Sequence, residues 1–107
     1  MPTQITNCIE NGVLYVAASN SDSEYMIWQN ELESGDVHFE YNNQINGDYN
    51  NIVKSTVMKD GIHIVLKNGE TAHFYFIGLD DEQYKILLTG LKNIHKNNME
   101  ILEIQDD

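Results

Sequence analysis

The chain holds four histidines, His38, His63, His73 and His95, and one cysteine, Cys8. These side chains are the ones suited to proton transfer, metal ligation or nucleophilic attack near neutral pH. A zinc centre needs His or Cys ligands repeated at short spacing, and no histidine here has a second His or Cys at such a spacing. His38, His63 and His73 each fall in a strand-like run, opposite its more apolar face or beside an Asn-Gly or Asp-Gly turn, where an imidazole faces solvent. The runs carrying His63 and His73 are joined by Asn68-Gly69. As a two-residue hairpin turn that dipeptide pairs Lys67 with Glu70 and sets Ile64 against His73 and His63 against Phe74, so the two imidazoles miss direct opposition. Cys8 lies in the first strand-like run, with nothing nearby to lower its thiol pKa, and reads as a small core residue.

The other reactive groups give no site either. Seventeen Asp and Glu guarantee that some pair lies at a glycosidase-like separation by chance, so their abundance does not argue for that reaction. There is no Gly-rich loop of phosphate-binding or dinucleotide-binding spacing and no arginine. Asn42, Asn43, Asn46, Asp48, Asn50 and Asn51 make an oxygen-rich segment, but with one carboxylate and without the EF-hand pattern of calcium loops. No catalytic residue, cofactor site or metal site is expected.

Charge is the more informative property. The formal net charge is -11 over 107 residues, which excludes a surface that grips phosphate backbones. Residues 1 to 53 contain eight acids and no lysine, hence -8, while the six lysines all lie from Lys54 onward. An acidic surface can serve solubility alone, but residues 29 to 51 combine five acids, two tyrosines and no cation, just after Trp28. Aromatics supply contact area and carboxylates steer a basic partner. Glu31, Glu33, Asp36, Glu40, Gln44, Asp48 and Tyr49 are therefore the candidate partner-binding residues. The alternative for this stretch is that Trp28, Phe39 and Tyr41 belong to the core of a sheet and the rest is solvated loop.

The elements that must position these groups are legible from turns and periodicity. The length fits one domain, residues 1 to 107. The start has neither a positive region nor an apolar leader, a single Cys makes no intrachain disulfide, and the longest apolar stretch, Val13 to Ala18, is far too short to span a bilayer. A cytoplasmic protein is expected. Asn-Gly at 11-12 and 68-69 and Asp-Gly at 60-61 separate strand-like runs. These are Thr3 to Glu10, Val13 to Ser19, Ile52 to Lys59, Ile62 to Lys67 and Thr71 to Ile77. Glu24 to Leu32 and Val37 to Tyr41 add two strands, the latter with Val37, Phe39 and Tyr41 on one side and His38 and Glu40 on the other. Segments 19-24 and 42-51 are the expected loop excursions.

From Asp80 the period changes. Tyr84, Leu87, Leu88, Leu91 and Ile94 form one stripe of a helix over roughly 81 to 96. Asp80 is its expected N-cap with Gln83 three residues on, Asp81 and Glu82 suit its positive start, and Lys92, His95 and Lys96 its negative end. Gly90 marks a close approach to the sheet, and Met99 to Ile104 suggests one more short strand. The predicted fold is α+β: a seven-stranded antiparallel meander sheet or partly closed barrel with one C-terminal amphipathic helix. Pleckstrin-homology-like barrels share this order of elements.

Several segments resemble the immunity-protein-10 family of bacterial polymorphic toxin systems. They are Tyr25-Met-Ile-Trp-Gln29, Phe39-Glu-Tyr-Asn-Asn-Gln44 with Asp48-Tyr-Asn-Asn-Ile52, Gly61-Ile-His-Ile-Val-Leu66, and Asp81-Glu-Gln-Tyr-Lys-Ile-Leu-Leu88 with Leu91 and Ile94. The resemblance spans about residues 12 to 97, and its most telling piece is Glu40 with Gln44 and the Gly-Asp-Tyr segment before Ile52. Asn30 departs from the arginine that the family pattern often carries there. The resemblance implies a cytosolic, non-enzymatic protein that binds one cognate toxin domain and blocks it. The acidic charge adds that the toxin is basic, as a nuclease is. A small acidic adaptor with another protein or peptide partner is the competing reading, with a hydrolase behind it; monomer and homodimer are both open.

Overall fold

Asn11 and Gly12 both have positive φ, 52° and 77°, the conformation of a type I′ turn, whose twist matches that of the strands it joins. This turn folds β1 (Gln4–Glu10) onto β2 (Val13–Ser21) in an antiparallel register that sets Glu10 against Val13. β3 (Glu24–Glu31) and β4 (Val37–Tyr41) continue the meander, giving a first sheet in the order β1-β2-β3-β4. The computed structural model describes residues 2–42 and 52–105. β5 (Ile52–Met58), β6 (Gly61–Leu66) and β7 (Thr71–Tyr75) form a second meander. Helix α1 (Asp81–Ile94) and a short 3₁₀ turn (Met99–Ile101) then lead to β8 (Leu102–Gln105), which pairs in parallel with β5. The second sheet is ordered β7-β6-β5-β8.

The α+β class and the C-terminal helix stand, but the single seven-stranded meander or partly closed barrel does not. The described strands form two open four-stranded sheets, and the eighth strand is parallel to its neighbour. Alternation of side chains fixes which face of each strand is buried, not which strand lies beside it. A parallel return also needs a long crossover, here supplied by β6, β7 and α1. The expected excursion at 19-24 is instead a tight turn, with Ser21 opposite Glu24 and a register shift after Ser19.

The inner faces of both sheets and the helix stripe close one core. Leu14, Val16, Met26, Trp28 and Phe39 come from the first sheet, Val57, Ile62, Ile64, Leu66 and Phe74 from the second, and Leu87, Leu91 and Ile94 from α1. Asp80 caps the helix as expected, its Oδ1 accepting from the Gln83 N–H at 2.8 Å. Where α1 crosses the first sheet, a Cβ on Gly90 would lie 2.8 Å from Val16 Cγ2 and 3.2 Å from Asn7 Nδ2, which is the close approach that the glycine permits.

The C-terminal turn of α1 is tied down by a residue of β3. Asn30 is 1% exposed and its Nδ2 donates to the Ile94 carbonyl at 2.7 Å, satisfying one of the helix's terminal acceptors. Removing the donor leaves that carbonyl buried and unpaired, which costs about 1 to 3 kcal/mol. Asn30→Ala is accordingly expected to lower unfolding stability by about 2 kcal/mol, read as a lower urea midpoint at unchanged slope.

Candidate functional site

The outer face of the first sheet is built by strand register. Residues alternating with the core positions of β1 to β4 point away from the helix and line up in rows across the sheet. One row runs Thr6, Ala17, Ile27, Glu40; the next runs Cys8, Tyr15, Gln29, His38. The last runs Glu10, Val13, Glu31 and Asp36, the final pair joined by the Glu31 N–H donating to the Asp36 carbonyl at 3.0 Å. Val13, Tyr15, Ala17 and Ile27 are half-buried on this face, forming an apolar strip between β2 and β3. At its border, Glu40 accepts a hydrogen bond from the Tyr25 hydroxyl.

The turn between β3 and β4 brings the carboxylates together. Glu31 Oε2 accepts from Ser34 Oγ at 3.3 Å, and Ser34 Oγ accepts from the Asp36 N–H at 3.3 Å. Leu32 N–H donates to the Gly12 carbonyl at 3.0 Å, so this turn sits against the β1–β2 turn. Asn11, Gly12, Val13, Glu31, Leu32, Glu33 and Ser34 line an open depression there. Glu31, Glu33 and Asp36 thus gather at one end of the sheet with Glu10, while Glu40 lies two rows away on the same face. No lysine or arginine lies on these strands. Gln44, Asp48 and Tyr49, and all of the oxygen-rich segment except Asn42, lie outside the described residues.

Val13, Tyr15, Ala17, Ile27 and Glu10 belong to this face, although none of them lies in the acid-rich stretch 29 to 51. The signal for them is the unbroken run Val13 to Ala18: in an antiparallel sheet with one wet face, β2 is apolar on both. Trp28 and Phe39, by contrast, are core, with ring centroids 5.4 Å apart and 0% and 3% exposure. Tyr41 packs half-buried against the same core. Cys8 is exposed rather than a core residue, because β1 is an edge strand and Cys8 falls on its outer side.

The histidines separate into two environments. His63 and His73 are direct partners, with ring centroids 4.1 Å apart, contrary to the two-residue turn reading. Leu66 N–H donates to the Glu70 carbonyl and Gly69 has φ 88°, so the loop between β6 and β7 holds three residues and ends in a left-handed glycine. One extra loop residue moves the pairing by one and brings the imidazoles together. Next to His73 stacks Tyr75, and on the same outer face Lys54 pairs with Glu103 at 2.8 Å, which lowers the Glu103 pKa. Among the described residues no group of three or more His, Cys, Asp and Glu is placed to hold a metal ion.

His95 is different. It caps the C-terminus of α1, is 3% exposed, and shares a 3.2 Å hydrogen bond between Nε2 and Ser55 Oγ. Burial pulls its pKa down from 6.5 to about 4, so the imidazole is neutral at physiological pH. It therefore does not supply the positive charge expected of it at the helix end; Lys92 does.

No family model, no curated protein and no solved structure matches the chain. No described helix is long and apolar enough to cross a membrane.

Proposed function

We propose that this chain is a cytoplasmic immunity protein that binds a cognate toxin domain of a bacterial polymorphic toxin system and neutralises it without catalysis. The outer face of the first sheet is the contact surface. One observation carries this reading: a half-buried apolar strip of Val13, Tyr15, Ala17 and Ile27 is bordered by Glu10, Glu31, Asp36 and Glu40, on strands with no cation. An apolar centre with a polar rim is the anatomy of a protein interface. Its single sign of charge selects a basic partner and raises association rates by about 10 to 10³. A toxin that acts on nucleic acid has to be basic to hold phosphates, and an acidic inhibitor covers that same surface.

The test is co-expression with the protein encoded beside this chain's gene, which this reading expects to end in a toxic domain. The expected result is relief of the neighbour's toxicity and co-purification of the two chains. Persistent toxicity with no complex would overturn the reading and favour an adaptor for some other partner.

A further inference from the structure

The edge of β1 is a second exposed feature, separate from the surface proposed for the toxin contact. A type I′ hairpin is closed by a hydrogen-bonded pair, here Glu10 and Val13. The bonded pairs then recur at Cys8, Thr6 and Gln4, so the main-chain groups of Ile5, Asn7 and Ile9 point away from β2. Among the described residues nothing bonds these three on that side, whereas just before the strand the outward N–H of Thr3 is taken by the Ile77 carbonyl at 2.8 Å, so the free edge begins at Ile5. At seven residues β1 is the longest of the four edge strands. It contains none of the lysine or proline that natural edges use against pairing. Its Ile9 is 67% exposed.

We infer that β1 pairs antiparallel with β1 of a second copy of this chain about a two-fold axis at Asn7. In this register Ile5 faces Ile9 of the second copy, Asn7 faces Asn7, and Ile9 faces Ile5. All three outward residues are then used, for about six main-chain hydrogen bonds, whereas any symmetric register displaced along the strand uses fewer. Ile9 becomes covered by an isoleucine on the helix side of the joined sheet. The same register sets the one carboxylate of β1, Glu10, against Gln4, and Thr6 against Cys8.

Charge favours a second copy here over the rest of the surface. A chain of -11 repels itself wherever acid meets acid. Beside the middle of β1, however, the shallow groove to α1 is lined by Asn7, Glu82, Lys85, Ile86 and Thr89, one acid balanced by one base, and beside Gln4 and Ile5 Asp80 is the one charged residue lining the second groove. An isologous contact needs a self-complementary patch, and this strip supplies it. The two first sheets join into one continuous eight-stranded sheet, with both apolar strips on the same side.

Light scattering across a micromolar to millimolar concentration range should show the mass rising from 12.3 kDa to twice that value. Ile9→Lys, at an exposed position, should restore the single-chain mass. Thr6→Cys gives the positive test. Thr6 and Cys8 of the second copy form a non-hydrogen-bonded pair with Cα atoms about 4.5 Å apart, within disulfide range, whereas Cys8 and its own copy are diagonal neighbours about 7 to 8 Å apart. Oxidised Thr6→Cys should therefore form a covalent dimer about 10-fold faster than the unsubstituted chain. A single-chain mass throughout, or equal cross-linking of the two proteins, would overturn the inference. Either result leaves the toxin reading untouched, because co-expression rescue does not require the edge.

Discussion

Gly90→Ala is expected to destabilise the domain by about 1 to 2 kcal/mol, although the same exchange in an exposed helix adds about 1 kcal/mol of stability. The sign is set by the 2.8 Å and 3.1 Å that separate a Cβ at this position from the two methyl carbons of Val16. Val16 is fully buried in the middle of β2, and its methyls are one bond from a Cβ fixed by the sheet, so they cannot swing aside. The helix has to lift, and overpacking of this kind costs about 1 to 3 kcal/mol. Val16→Ala removes the obstacle at its own cavity cost. In that background Gly90→Ala should become stabilising by about 1 kcal/mol. Urea unfolding of the four proteins measures the coupling. A stabilising Gly90→Ala in the parent chain would mean that α1 does not press on β2 at this point.

The second large effect is a loss of stability in acid through His95. Its pKa is 6.5 when unfolded and about 4 in the folded chain. A base with a depressed folded pKa is protonated more readily unfolded, so folding is penalised as pH falls from 6.5 to about 4. Above that window the full stability is present. Between pH 7 and about pH 4.5 this linkage amounts to about 2.5 kcal/mol. His95→Gln keeps a side-chain partner for Ser55 and has no proton to take up. Titration of the seventeen carboxylates is common to both proteins, so the difference between their stability curves isolates the imidazole. The parent chain should lose about 2.5 kcal/mol relative to His95→Gln across that interval; parallel curves would show that His95 is solvated.

Local signals carried further than long-range ones. The helix was legible because its stripe from Tyr84 to Ile94 is amphipathic and its first turn is capped by Asp80, both properties of neighbouring residues. The strands were legible from their turns. The sheet division was not, since neither alternation nor turn chemistry tells β5 to leave the first sheet or β8 to return beside it. The His63–His73 contact turned on whether Asn68-Gly69 closes a loop of two residues or three. On the candidate surface, Glu31, Glu33 and Asp36 come together because they share one turn, so sequence proximity sufficed. Tyr15, Ala17 and Ile27 join them only through the register of β2 on β3. Cys8 and His95 depart from the sequence expectation for one reason, their place in the fold: an edge strand exposes the thiol and a helix end packed on β5 buries the imidazole.

Association kinetics with the proposed toxin partner test most directly whether the acidic groups of the first sheet form the contact surface. Glu33→Lys/Asp36→Lys/Asp48→Lys and the control Asp60→Lys/Glu70→Lys/Glu100→Lys change the net charge by the same amount, and the control residues all lie outside the first sheet. The first triple variant is expected to slow association about 10-fold or more at low salt and to flatten its salt dependence, while the control stays within about 3-fold of the parent. Equal effects of the two variants, or none from either, would contradict that assignment of the surface.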